Sequence, residues 1–438
     1  MTTLTQTTLN FNSRVKLTGN GGDLSSDTGE FLFREFDETI GFSQTLAEHL
    51  VLNDERHYRI HANQDLLRQK IYQIIAGYDG DDAADQLTND PVLTQIIGKK
   101  ALASQPSLSR FLDRFDADSI GQLNQANQEL LDRMHRYRES DALILDLDST
   151  HADTYGDQEA ANYNTHYGTV GFHPLVAFDG ITGDFLKADL RPGSVYTSNG
   201  VVDFIEPVIR HYNDVFPATT PFLRGDSGFA VPALYDLCER ESVFYVIRLK
   251  SNPVLQRIAA ELHPNTTPTD ITQAECYYET IDYQAGSWSQ PRKVVIQSIR
   301  PPGELLFTHG FFVTNLNDMF SPEAIVQSYK QRGTMENYIK EAKNGFYMDR
   351  MSSHGFQANQ VRMMLSLLAY NLTNWLRTLC FPDGHRNMQV QTIRTKLIKV
   401  ASKLVRSGRS FYFKLASSFV YPKLFWQVLQ RIQNMKPI

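Results

Sequence analysis

Three short stretches of the sequence place acidic side chains where an acid needs a reason to be. In ALILDLDST (142–150) an apolar, β-rich run carries Asp146 and Asp148. Strand periodicity sends these two acids to one face and Leu143, Leu145 and Leu147 to the other. A carboxylate at the end of an apolar strand must be paired, hydrogen-bonded or bound to a cation. PFLRGDSGF (221–229) repeats the arrangement, delivering Asp226 between Gly225 and Gly228, whose missing side chains let backbone or ligand approach closely. The third stretch, SYKQRGTMENYIKEAK (328–343), spaces Tyr329, Arg332, Glu336 and Lys343 by two, three and six intervening residues. Read as one continuous helix, it sets Arg332, Glu336 and Lys343 within roughly 60° of Tyr329, with Gly333 and Lys340 on the same face. That stripe would run roughly 20 Å, enough to follow several phosphates of one strand while presenting a carboxylate mid-way. A divalent cation would serve as the partner that Asp146 and Asp148, neighbours on one strand face, require.

The elements that must position these residues follow from hydrophobic periodicity. Residues 1–28, rich in Thr, Asn, Gly and Ser, read as a flexible tail. From 29 to 140 the apolar residues recur at three and four positions, as in FLFREFDETIGF and LLRQKIYQIIAGY, which predicts a lobe of short amphipathic helices. At 141 the pattern changes. ALILDLD, HPLVAFD and GDFLKADL read as strands, VVDFIEPVIRHY as a helix, TTPFLRGD as a strand, PALYDLCERE as a helix and VFYVIRLK as a strand, closing a first core segment at 250. Residues 251–320, with ECYYETIDY, RKVVIQSIR and LFTHGFFVTNL, predict a β-rich insertion. A helical segment over 321–347 carries Glu336, and 348–438 reads as a basic helical region.

Charge is distributed unevenly over the 438 residues. The formal net charge is -6, and residues 1–140 hold 21 acidic against 14 basic side chains. After Asp383 there is no Asp or Glu at all, while Arg394, Lys396, Lys399, Lys403, Arg406 and Arg409 fall within a short span. Such a concentration suits a polyanion and excludes a uniformly basic nucleic-acid binder. The cysteines, Cys238, Cys276 and Cys380, are too far apart for a zinc site and suit a reducing compartment. No export signal and no membrane segment is read, so a cytoplasmic location associated with DNA is expected.

Taken together, LDLDST, GDQEAANYNTHYG followed by HPL, RGDSGF, and the Tyr-(2)-Arg-(3)-Glu-(6)-Lys spacing resemble the DDE transposases of bacterial insertion sequences. The subfamily usually numbered thirteen-eighty is the most similar. The resemblance runs from about Gly29 over most of the chain. It implies an α/β fold with an RNase H-like core, a mixed five-stranded sheet with helices, interrupted by a β-strand insertion and flanked by helical N- and C-terminal regions. It places the catalytic, metal-binding acids at Asp148, Asp226 and Glu336, working with two Mg²⁺ ions, for which Mn²⁺ can substitute. Tyr329, Arg332, Lys340 and Lys343 become phosphate contacts, and Trp288, in the insertion, a residue that stacks on an unpaired base. His166, Tyr167 and His173 are expected near the site. The implied partners are double-stranded DNA, as the element's terminal inverted repeats and the target, and a second copy of the chain in the synaptic complex. Two other readings stay open: a metal-dependent nuclease of the same fold that cuts without joining, and a retired transposase that only binds DNA.

Overall fold

The computed structural model describes residues 6–54, 58–154, 156–268 and 270–436. It divides into two compact units, one of residues 127–344 and 348–364, the other of residues 1–126, 345–347 and 365–438.

The first unit is built on one sheet. Its central strand, Ala142–Ser149, pairs in parallel with Thr220–Gly225, which pairs in parallel with Phe244–Leu249. On the other side lie Leu175–Asp179 and Phe185–Asp189, each antiparallel to its neighbour. These five strands are those expected from sequence. The insertion does not form a body of its own: Thr308–Thr314 pairs antiparallel with Phe244–Leu249, and Arg292–Arg300 and Glu275–Tyr283 follow, giving a mixed sheet of eight strands. Burial on both faces explains the continuation. In Arg292–Arg300 and Thr308–Thr314, Val295 and Phe312 turn inward and join Val246, Leu316, Ile325 and Val326 in one buried cluster.

Beneath the central strand the sheet contains a charged pair. Asp146 is fully buried, and Arg224, one strand over, grips it with Nε to Oδ1 and Nη2 to Oδ2, both at 2.6 Å. The third guanidinium nitrogen donates to the Ser328 carbonyl at 2.7 Å. Gly180 makes this possible, because a Cβ there would collide with the Arg224 guanidinium and the Asp146 carboxylate. The pair therefore ties two core strands to the helix Pro322–Lys330.

The long helix expected over the third stretch is two helices, Pro322–Lys330 and Gly333–Phe346, separated at Gln331 and Arg332. Tyr329 and Glu336 thus do not share a helical face. On the second helix, Glu336, Lys340 and Lys343 do line up, with the buried Met335, Ile339 and Ala342 on the adjoining face.

In the second unit, the helices Glu30–Ile40, Phe42–His49, Asn63–Ala76, Pro91–Ile97 and Gln105–Leu112 pack with C-terminal elements, so the lobe and the basic region expected as separate are joined. Trp375, from Phe356–Cys380, meets Phe42 edge-on at 6.3 Å. Two expectations change. The tail residues 1–5 lie outside the described residues, but Gln6–Leu9 and Asn12–Thr18 form a hairpin, and Leu24–Ser25 pairs with Ser402–Lys403. The C-terminal region is not helical throughout: Ser402–Ser407 and Ser410–Leu415 are antiparallel strands, turning at Gly408, whose φ of 58° suits glycine.

Removing one member of the Asp146–Arg224 pair strands the other charge in the sheet. Arg224→Leu should lower unfolding free energy by about 3–5 kcal/mol, and adding Asp146→Leu should recover most of it. Urea unfolding of both variants checks this, and an undiminished single variant would show that the pair does not bind the sheet together.

Candidate active site

Strand register brings the two aspartates together. Gly225 lies opposite Leu147 in the parallel pair, so the next residues along each strand, Asp226 and Asp148, emerge side by side. Parallel strands end at a common edge, where ligands bind in open α/β sheets. Here that edge opens into a cavity of about 710 Å³, and Asp148, Asp226 and Glu336 all line it.

Each acid is held differently. Asp148 accepts from the Ser149 amide at 2.9 Å and meets Arg332 Nη2 at 3.1 Å. Burial raises its pKa to about 6; Arg332 works against the rise and Asp226 adds to it. Asp226 opens a short turn, Ser227–Phe229, and accepts from the Gly228 amide at 2.8 Å. A side chain at residue 228 would meet Thr197 at 2.8 Å and Asp226 Oδ1 at 3.0 Å, which accounts for the glycine. Glu336 is exposed on the cavity wall, in the first turn of Gly333–Phe346.

Several residues singled out from sequence lie on this cavity: Lys340, exposed; Lys343; and His166, Tyr167 and His173. Lys343 Nζ donates to the His151 carbonyl at 2.5 Å and lies 3.8 Å from Asp349, and burial lowers its pKa. Tyr167 packs among three histidines, His151 and His166 at 4.8 Å and His173 at 6.0 Å. The sequence reading missed Tyr163, Tyr196 and Lys250 on the same cavity. Lys250 had a signal: it follows directly on the strand Phe244–Leu249, at the same edge as the aspartates, and its Nζ donates to the Tyr196 hydroxyl at 2.8 Å.

Other assignments give way. Asp146 is not a free ligand, since both its oxygens are taken by Arg224. Arg332 is buried, donating to the Leu147 carbonyl at 2.9 Å as well as meeting Asp148, because the helix break turns it toward the sheet. Tyr329 packs against Phe312 at 5.0 Å and the apolar cluster around it. Trp288, only 8% exposed, sits edge-on between Tyr235 and Tyr283, each at 5.5 Å, with Arg292 over its ring. It packs on its neighbours instead of standing free to stack. Arg394 is buried too, donating to the carbonyls of Ile74, Ile75 and Gly345. Lys399 binds Asp27 at 2.5 Å over the ring of Tyr78. Lys396 lies over Tyr421, whereas Lys403, Arg406 and Arg409 are exposed on the hairpin of residues 402–415.

The donors fit a hard divalent cation in kind: carboxylate oxygens, two of them adjacent and mutually repelling. In number they are not gathered, for among the described residues no three His, Cys, Asp or Glu side chains lie close enough to hold a metal ion. Among those residues also, no helix is long and apolar enough to cross a membrane.

The model of the family described as transposase DDE domain group 1 matches residues 7–437. The chain belongs to that family. Among curated proteins none matches. One similar solved structure is the piggyBac transposase synaptic complex with hairpin DNA, at 12% identity and a TM-score of 0.45, the match covering 94% of this chain and 83% of that one. At that distance the likeness does not bear on mechanism.

Because burial and Asp226 raise the Asp148 pKa to about 6, ionising Asp148 destabilises the fold. A raised acid contributes stability that is present below its unfolded pKa of about 3.9 and lost as pH climbs through about 6. Without divalent ions, Asp148→Asn should therefore be more stable than wild type at pH 8, on the order of 1–2 kcal/mol after allowing for solvent screening. The gap should close below pH ~4. Melting curves across pH check this, and a gap that widens toward acid would have the wrong sign.

Proposed function

We propose that this transposase cuts DNA at the ends of its own mobile element and joins the freed 3′-hydroxyls to target DNA, using Asp148, Asp226 and Glu336 as its acids on an RNase H-like core. The observation that carries the reading is the register that sets Asp226 beside Asp148 in a cavity Glu336 also lines, in a chain of the DDE family. The strand order supports the core assignment: Phe185–Asp189, Leu175–Asp179, Ala142–Ser149, Thr220–Gly225 and Phe244–Leu249, which is the third, second, first, fourth and fifth in chain order.

Asp148 and Asp226 would hold Mg²⁺, or Mn²⁺ in its place, with Glu336 completing the set. Two such ions would supply the Lewis acidity that activates an attacking oxygen and stabilises the leaving one. The chain's own part is positioning and electrostatics. The aspartates are fixed by strand ends and by the amides of Ser149 and Gly228, so little freedom is lost when a cation arrives. Glu336, exposed on a separate helix, has the freedom to close on them. Lys340 and Lys250 set positive charge along the same cavity, suited to the phosphates flanking the cut.

Binding away from the cavity falls to other surfaces. In the hairpin of residues 402–415, Lys403 lies opposite Lys414, a repulsive pairing that a polyanion relieves, and Arg406 and Arg409 extend the charge. The helices of residues 29–140 are assigned the reading of the terminal inverted repeats, and two copies of the chain the pairing of the ends in a homodimer.

Glu336→Gln tests the reading. On end-containing DNA with Mg²⁺, cutting should fall by at least about a thousandfold while binding stays within about threefold. Cutting that survives would remove Glu336 from the reaction. A wild-type protein that cuts yet never joins would favour the nuclease reading, and one that binds ends without cutting would favour the retired transposase.

A further inference from the structure

Arg332 stands where a cation would be needed, yet it faces the protein. It is 7% exposed and occupies the break between the helices Pro322–Lys330 and Gly333–Phe346. Nη2 reaches both the Leu147 carbonyl, at 2.9 Å, and Asp148 Oδ1, at 3.1 Å, so one nitrogen spans the backbone and the side chain of the same strand end. Its Nε is buried with no hydrogen-bond partner among the described residues. A side chain so placed has no open path to a phosphate running over the surface.

The local charges show what it does instead. Asp146 is neutralised by Arg224, whose guanidinium is fully used on that carboxylate and on Ser328. Asp148 is left with Arg332 as the guanidinium that contacts it, and the charge of Arg332 also acts on Asp226 beside it. Two carboxylates outnumber that one guanidinium at the strand ends, and Lys343 is a further cation whose charge acts on Asp148. Without Arg332 the pair would face each other with no guanidinium in contact. Once a divalent ion arrives, Arg332 is a like charge close by and opposes it.

We infer that Arg332 is the resident counter-ion of Asp148, a positioning residue that stands in for the divalent cation and competes with it, and not a ligand of DNA phosphate. This rests on the reading of Asp148 and Asp226 as the carboxylates of the cation site. Glu336 follows Arg332 by four residues, so the same anchor also fixes where the catalytic helix begins.

The test uses the full chain, free of DNA, titrated with Mn²⁺ by calorimetry. Arg332→Gln keeps a donor for the Leu147 carbonyl but removes the charge, and should bind Mn²⁺ about tenfold more tightly than wild type. Its affinity for end DNA without divalent ions, measured over a salt series, should match wild type in value and slope. Arg332→Met, neutral and of similar length, is read the same way should the glutamine variant not fold. A merely structural role would not tighten Mn²⁺ binding, and unchanged Mn²⁺ affinity in a folded variant overturns the inference. So does a loss of DNA affinity with a salt slope smaller by about one, the mark of a lost phosphate contact. Asp148→Asn separates this from the parent reading: if it binds Mn²⁺ as wild type does, the cation site itself is misplaced.

Discussion

Two carboxylates set side by side at the ends of adjacent strands, on the wall of one cavity, repel each other. Register imposes this on Asp148 and Asp226, since it follows from pairing Leu147 with Gly225 and cannot be relaxed without shifting the whole central strand. Much of the surrounding structure answers that constraint. Arg224 neutralises the other acid of the Asp148 strand, Asp146, below the site. The Ser149 and Gly228 amides each donate to one aspartate, and Arg332 meets Asp148 from the helix break. Paired, hydrogen-bonded charges of this kind are tolerated in a protein interior where an isolated one is not.

The site combines a half held by the sheet and a half carried on a separate helix. The aspartates sit on a sheet whose inner strands are paired on both sides, and their side chains are fixed by backbone amides. Glu336 stands exposed on a helix that begins after a two-residue break, anchored there by Arg332 and, one helix earlier, by the bond from Arg224 to Ser328. On the proposed reading, a fixed pair and a third acid on a separate helix would make a centre that assembles only when cation and substrate are both present. The net charge of -6 leaves room for local cationic surfaces, at Lys340 on the cavity wall and at Lys403, Arg406 and Arg409 on the hairpin.

The aspartates were legible in sequence because apolar strands ending in acids next to glycines state both the element and the reason for it. The five core strands were legible from their shortness and their richness in β-formers. What periodicity could not show was the break at Gln331 and Arg332: nothing in a run of helix formers marks it except Gly333, and a continuous helix put Tyr329 and Arg332 on the wrong face. Nor does residue type tell a solvated cation from a structural one. Arg394 and Lys399 look like their exposed neighbours, but their partners, Ile74, Ile75 and Asp27, are more than three hundred residues away in the chain. The hairpin of residues 402–415 did carry a signal, Ser407-Gly408 between alternating β-formers, and the density of basic residues hid it.

The central claim is that Asp148 and Asp226 share a divalent cation which Glu336 joins. Crystals of the transposase with end DNA and Mn²⁺, measured at the manganese absorption edge, test it most directly. The account predicts anomalous density between the two aspartates, with the Glu336 carboxylate drawn in to complete the coordination. Manganese bound only elsewhere, or absent from the strand ends while DNA fills the cavity, would contradict it.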